Sequence, residues 1–328
     1  MGSRLYGDLL ELAATDVEDG GFAARILDGH GRDAPDSALA LRFMGGVHRM
    51  VLEGRAPELA RFYPSAGGKL GAGGDELWAA FATTLGRHAD ALRDLIDLRV
   101  QTNEVGRCAA LIGGFLLVAQ QTRRPLRILE IGAAAGLNLR WDRYRYEARG
   151  RTWGDSESLV RLCSFDGDIP ALQTSAEVVD RRGCDLSPVD PTSEDGRITL
   201  HSYVWPDQLA RIRHLRLALE VARRFPVPVD EEDAVAWLEQ HSRTRREGMA
   251  TIVFHSIVMQ YLTPEDRTRA RTLIEQAGAR ASPDAPFAWL RMEPSGDEAE
   301  VRLTLWPPGT DRLVARSGFH GDAVRWLA

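Results

Sequence analysis

Leu126-Arg127-Ile128-Leu129-Glu130-Ile131-Gly132-Ala133-Ala134-Ala135-Gly136-Leu137-Asn138 is the stretch on which the fold turns. Its first six residues are mostly apolar and end at a glycine, the pattern of a strand buried on both faces. Small residues at 132, 134 and 136 then let the backbone turn sharply and let a ligand approach the main chain. A helix is expected to follow. Dinucleotide-binding turns space their glycines as G-x-G-x-x-G, to set pyrophosphate on a helix N-terminus. Here the third glycine position is Leu137, and the spacing is G-x-A-x-G with Glu130 two residues ahead. A bare strand-to-helix bend with no ligand is the other reading of the same residues.

Working outward, the C-terminal side repeats the strand–helix rhythm. Thr251–Phe254 and Phe287–Leu290 read as further buried strands, and Val301–Trp306 alternates like an antiparallel one. Trp205-Pro206-Asp207 and Thr263-Pro264-Glu265-Asp266 read as helix starts, the second with Thr263 as N-cap and Gly278 as its stop. Such alternation predicts an α/β fold, an open and mostly parallel sheet from residue 125 with helices on both faces. Tyr144–Cys163 breaks the rhythm and reads as a β-hairpin excursion. Val301–Trp306 and Arg312–Ala315, across Pro307-Pro308-Gly309, predict a terminal antiparallel hairpin.

On the N-terminal side, residues up to Arg124 read as helices and loops. Ala82–Val100 and Val105–Ala119 carry apolar residues at three- and four-residue spacing. The expected organisation is a helical region over 1–124 and an α/β domain over 125–328. Ser65–Asp75 is glycine-rich and holds Lys69. The Walker pattern needs Ser or Thr after the lysine and a strand before it, and Leu70 stands there instead. A turn-forming loop is the expectation.

Composition narrows the classes further. The 328 residues carry a net charge of −6, against the basic surface that phosphate neutralisation needs, so no nucleic-acid partner is expected. Three scattered cysteines form no CxxC pair, which disfavours both a disulfide framework and a zinc cluster. No metal is expected. No signal-like N-terminus and no apolar window of membrane-spanning length is read, so the expectation is a cytoplasmic protein with no membrane partner.

The Glu130–Gly136 pattern resembles the first motif of class I S-adenosylmethionine-dependent methyltransferases, E/D-x-G-x-G-x-G, with Ala134 in place of the middle glycine. The resemblance covers about 125–328 and implies a Rossmann-like methyltransferase sheet ending in an antiparallel hairpin with a reversed last strand. It implies S-adenosylmethionine as cofactor, near Glu130, Gly132, Ala134, Gly136 and Asn138. Val178–Ser187 is similar to the family's second strand, so Asp185 is implied as the acid for the ribose hydroxyls, with Leu186 beside it. Glu147 is the rival acid if Tyr144–Glu147 is itself the second strand. Glu232-Asp233-Ala234 resembles the acidic loop near the adenine. Val253–Leu262 resembles the fourth strand and its turn, which places Phe254, His255 and Ser256 at the cofactor edge.

Methyl transfer needs a base only when the acceptor must lose a proton. His255 is the first candidate and Glu293 the second. Gln101, Thr102, Asn103, Glu104 and Arg107 crowd what reads as the start of the long helix. Asn103, Glu104 and Arg107 are candidates to close the pocket or hold a substrate, and Glu104 and Arg107 are spaced to pair across one turn. A solvated helix start is the plainer reading. The expected partner is a small-molecule substrate. A catalytically degenerate binding or interaction module and an NAD(P)-dependent oxidoreductase remain the alternatives. The chain also looks like a bacterial family of uncharacterised domains, through Tyr63-Pro64, Gln101–Arg107, Glu130–Tyr144, Arg182–Asp190 and Phe254-His255-Ser256.

Overall fold

The computed structural model describes residues 2–33, 37–69, 74–244 and 246–327. The chain forms two compact units, Met1–Thr102 with Val189–Leu215, and Asn103–Pro188 with Arg216–Ala328. The expected division at 124/125 therefore differs from the one observed, and the reason lies in one helix. Arg107–Thr122 (α7) is buried on nearly every side. Its Phe115 meets Phe254 edge to face, and Leu290 presses on Gly114. It belongs with the sheet it covers.

The first unit is helical: α1 (Arg4–Glu18), α2 (Phe22–Ile26), α3 (Leu39–Leu52), α4 (Pro57–Ala60), α5 (Gly74–Arg87), α6 (Ala89–Asp97) and α8 (Glu194–Ser202). Leu9, Phe43, Val47, Phe81, Leu85 and Leu92 form the centre of its core. Such side chains each contribute about 1.5–3 kcal/mol when buried. The single helix expected over Ala82–Val100 is two, parted at His88. In the glycine-rich loop the amides of Ala66, Gly67, Gly68 and Lys69 all bond to carbonyls of Arg61, Tyr63 and Pro64, so this stretch is a turn. Leu70–Gly73 lie outside the described residues.

The second unit is a mixed α/β arrangement. Its eight-stranded sheet has the order β11-β10-β9-β8-β7-β1-β5-β6. β1 (Leu126–Ile131), β5 (Val178–Asp185), β6 (Val229–Glu231), β7 (Ala250–Ser256) and β8 (Phe287–Ser295) run parallel. β9 (Glu298–Trp306) is antiparallel to β8, β10 (Thr310–Ser317) to β9, and β11 (Arg325–Trp326) to β10. The terminal hairpin is thus present, with its first strand the reversed one; β10 runs with the parallel set.

Side chains alternate across the sheet. Leu129, Ile131, Val253 and Trp289 pack with α10 (Ala234–His241) and α11 (Pro264–Ala279) on one face. Phe254 and Leu290 meet α7 on the other. Tyr144–Cys163 is an excursion, as expected, with a changed pairing. β2 (Arg145–Ala148) and β3 (Arg151–Gly154) form the hairpin, and β4 (Arg161–Leu162) adds to β2 in parallel. Glu147 sits in this separate sheet beside Arg145, so β5 is the parallel strand next to β1.

Two helix ends are instructive. Thr263 caps α11 as expected, its Oγ1 accepting from the Asp266 amide at 3.1 Å. Gly278 is not the stop. It lies inside α11, where the Trp306 indole leaves no room for a Cβ. The helix expected to open at Trp205-Pro206 begins at Leu209 (α9, Leu209–Arg224).

Candidate functional site

Strand order reverses between β1 and β7, and in open parallel sheets ligands bind beyond the carboxyl ends of the strands at such a point. The glycine turn lies there. Gly132, Ala134 and Gly136 adopt φ of 66°, 49° and 65°, three left-handed residues alternating with ordinary ones. Glycine takes that conformation cheaply; Ala134 does not.

The turn is held by bonds to its own amides. Ala133 donates to the Cys184 carbonyl (2.9 Å) and Gly136 to that of Ala133 (2.7 Å). Ala134 donates to Asp185 Oδ2 at 2.9 Å. Ala135 and Leu137 both donate to Asn103 Oδ1, at 3.2 and 2.8 Å. From below, the buried Arg140 guanidinium grips the carbonyls of Gly136 (2.6 Å) and Phe225 (2.7 Å). The expected helix after the turn is a kinked 3-10 segment, Asn138–Arg143.

Two acids border this turn, and a third was expected in the loop near the adenine. Glu130 is 1% exposed, and its Oε2 has no hydrogen-bond partner among the described residues. Burial, with the Asp185 charge added, holds its carboxyl well above the usual 4.5, against the pull of Asn138, Arg140 and Arg107. Asp185 ends β5, and its Oδ1 accepts from the Ser187 amide at 3.0 Å. Leu186 beside it is exposed. Asp233 does something else: its Oδ1 accepts from the amides of Val235 and Ala236, capping α10. Asp233→Ala is expected to cost about 1 kcal/mol, the usual value of such a cap, read as a lower urea midpoint.

The polar cluster before α7 is not a helix start. Residues 101–104 precede the helix in extended or irregular backbone, and α7 begins at Arg107. Asn103 pins the glycine turn. Glu104 is 7% exposed; its Oε1 accepts from the Gly106 amide at 3.0 Å and its Oε2 lies 3.7 Å from His320 Nδ1. Arg107 donates to the Ser256 carbonyl (2.8 Å) and the Phe319 carbonyl (3.1 Å), joining the end of β7 to the loop after β10. Asn138 Oδ1 accepts from the Cys108 thiol at 3.2 Å.

His255 offers no nitrogen to a substrate. Trp289 Nε1 can only donate, and it lies 3.0 Å from His255 Nε2, which must therefore accept. The proton is on Nδ1, donated to Glu293 Oε1 at 2.6 Å. The same carboxylate oxygen accepts from the amides of Val258 (3.1 Å) and Met259 (3.3 Å). Burial pushes the Glu293 carboxyl up, but the His255 hydrogen bond and the two amides outweigh it and hold it below 4.5. Both base candidates are thus spent on fixing the loop after β7. That loop opens with Ile257 at φ 55°, a conformation strongly disfavoured for a β-branched residue. It places Val258 on the turn: a Cβ on Gly132 would lie 2.5 Å from Val258 Cγ2. Phe254 is a core residue stacked edge-on to Phe115, with no face toward a ligand.

One group therefore gathers Glu130, Gly132, Ala134, Gly136, Asn138, Asp185 and the Ser256 carbonyl with Asn103, Glu104 and Arg107. Phe254 and Asp233 stand apart in structural roles. His320 was not singled out from the sequence. Its signal is faint: a histidine between glycines in Gly318-Phe319-His320-Gly321, past the last long strand.

Residues 1–326 match a family described as "Uncharacterized protein conserved in bacteria (DUF2332)". The chain belongs to this family. The match spans both units and every residue of the group above, so the site lies within what defines the family. No curated protein matches the chain. No helix among the described residues is long and apolar enough to cross a membrane.

Proposed function

We propose that this DUF2332 member is an S-adenosylmethionine-dependent methyltransferase acting on a small-molecule acceptor, on a sheet of the Rossmann-like methyltransferase kind. The observation that carries the reading is the state of the glycine turn. All five amides from Ala133 to Leu137 are already bonded within the protein. A pyrophosphate would have to displace Asn103 and Asp185 to reach them, and it would meet the Asp185 carboxylate and the buried Glu130 carboxyl. A cationic ligand without phosphate meets no such obstacle. The buried Glu130 Oε2, lacking a partner, suits an ammonium group, because an unsatisfied buried acceptor costs about 1–3 kcal/mol until it is bonded. Asp185 places a carboxylate, the acceptor type that ribose hydroxyls need, at the end of β5. The cofactor supplies a methyl group on sulfur, displaced in line, so alignment and exclusion of water supply much of the rate.

One observation favours a second reading, a binding or interaction module without chemistry: Val258 fills the space over Gly132 that a ligand would approach. Thermal unfolding separates the readings. S-adenosylhomocysteine is expected to raise the melting temperature and NADH to leave it unchanged. A ligand bound only by the folded state stabilises it by about 2.7 kcal/mol at a hundredfold excess over Kd. No shift with millimolar S-adenosylhomocysteine leaves the module; a shift with NADH alone restores the oxidoreductase.

A further inference from the structure

We propose that Glu104 and His320 form the acid–base pair of this site, with His320 the base and Glu104 the positioning residue. The inference rests on the methyltransferase reading. It starts from a vacancy in function: His255 and Glu293, the bases expected from sequence, are both committed to the loop after β7. Another imidazole stands at the same end of the sheet. Arg107 holds the carbonyls of Ser256, the last residue of β7, and Phe319, the neighbour of His320. The loop is anchored further by tight backbone packing of Gly321 and His320 against Gly106, where neither glycine has room for a Cβ. A Gly318–Asp322 turn closes it, the Gly318 amide donating to the Asp322 carbonyl at 2.9 Å.

Within this frame the two side chains differ as an orienting acid and a working base should. The Glu104 side chain is 5% exposed and that of His320 34%. The carboxylate is shut in behind the ring, 3.7 Å from Nδ1, while the ring itself can be reached. A carboxylate on one side of an imidazole favours its protonated form and so strengthens it as a base. Glu130 is close enough to act electrostatically on Arg107 and Cys108, as Glu104 is on Cys108, so the pair and the Glu130 carboxyl share one neighbourhood. Along 103–107 and 318–322, the two segments that meet at Gly106, the charged side chains are Glu104, Arg107 and Asp322, with Glu130 on β1 acting on Arg107.

This assignment names the acceptor's chemistry. A base is needed when the accepting atom carries a proton, so the acceptor is a hydroxyl or an ammonium rather than a carboxylate, which is already an anion. The acceptor's proton passes to His320, whose charge Glu104 offsets. The methyl–sulfur bond breaks as the methyl–oxygen or methyl–nitrogen bond forms, and sulfur keeps the electron pair.

The test uses the full chain. His320 is followed by histidine-selective NMR in the parent and in Glu104→Gln, with His320→Gln to assign its signal. Its acylation by diethyl pyrocarbonate is followed by peptide mass spectrometry, with and without S-adenosylhomocysteine. The expected results are a His320 pKa lower in Glu104→Gln than in the parent, and acylation slowed at least fivefold by the ligand, as peptides carrying His30 and His88 react unchanged. An unaltered His320 titration in Glu104→Gln overturns the pair. Ligand binding, seen as a thermal shift, without protection of His320 overturns the pair and spares the methyltransferase reading. No binding at all overturns both.

Discussion

Glu293→Ala is expected to lower the stability of the chain by about 3 kcal/mol, because it strands hydrogen-bond donors that each cost about 1–3 kcal/mol when left unpaired in the interior. The substitution strands three donors at once: His255 Nδ1 and the amides of Val258 and Met259. His255 cannot turn to another partner, because it is fully buried and its Nε2 is held by Trp289. Ile257, at a φ of 55°, then keeps its own amide bond to the Met292 carbonyl but loses the anchored amides that follow it. Relaxation of that residue would free Val258 from Gly132, so the variant should also lose protection from amide exchange at 257–259. The acid dependence has a definite sign. The folded-state carboxyl of Glu293 titrates below its ordinary 4.5. Its stabilisation is therefore complete above about pH 4.5 and is lost as pH falls through the lower folded value. Glu293→Gln should flatten that acid limb. A Glu293→Ala midpoint within experimental error of the parent would show that the loop after β7 is held by other contacts.

The sequence displayed those parts of the fold that depend on local pattern. A strand buried on both faces reads as a mostly apolar run without strict alternation, so β1 and β7 were visible, as was the alternating β9. Thr263 was visible as a cap because its side chain acts on an amide three residues away. Features that depend on a distant partner were hidden. Gly278 looks like a helix stop until Trp306 is known to press on it. Asp233 reads as a ligand acid until Val235 and Ala236 turn their amides toward it. The compact unit that holds the sheet begins at Asn103, before 125, because the apolar α7 shows in sequence only that it is buried, and not beneath what.

The same distinction divides the site. Glu130, Gly132 and Gly136 are close in sequence and were legible as one motif. Asp185 follows from the end of a strand, although an excursion of three short strands separates it from the turn. His255 was legible as a histidine at the correct strand end but not in its role. That role is set by Trp289 and Glu293 on the neighbouring strand, in a register no sequence displays. His320 required the loop after β10 to fold back on Gly106, which only a pair of glycine backbones in contact reveals.

Asn103→Ala is expected to weaken S-adenosylhomocysteine binding about a hundredfold. The residue stands outside the glycine motif, yet one side-chain oxygen accepts two of the turn's amides, those of Ala135 and Leu137. Both amides belong to buried residues. Removing their acceptor leaves two buried donors unpaired, at about 1–3 kcal/mol each. Water entering the vacated space recovers part of that, so a net loss near 2.7 kcal/mol is expected, which is a hundredfold in affinity. The loss falls on binding because Ala134 and its two glycine neighbours hold left-handed angles only while the amides between them are fixed. Asn103→Asp keeps an acceptor oxygen and should restore the stability lost in Asn103→Ala. It also sets a third carboxylate near Glu130 and Asp185, so its ligand affinity should rise with the ligand's positive charge, S-adenosylmethionine gaining over S-adenosylhomocysteine. Calorimetric titration of both variants with both ligands, beside their urea midpoints, reads all of this. If Asn103→Ala binds as the parent does, Asp185 and Arg140 suffice to hold the turn, and the segment before α7 has no part in forming the pocket.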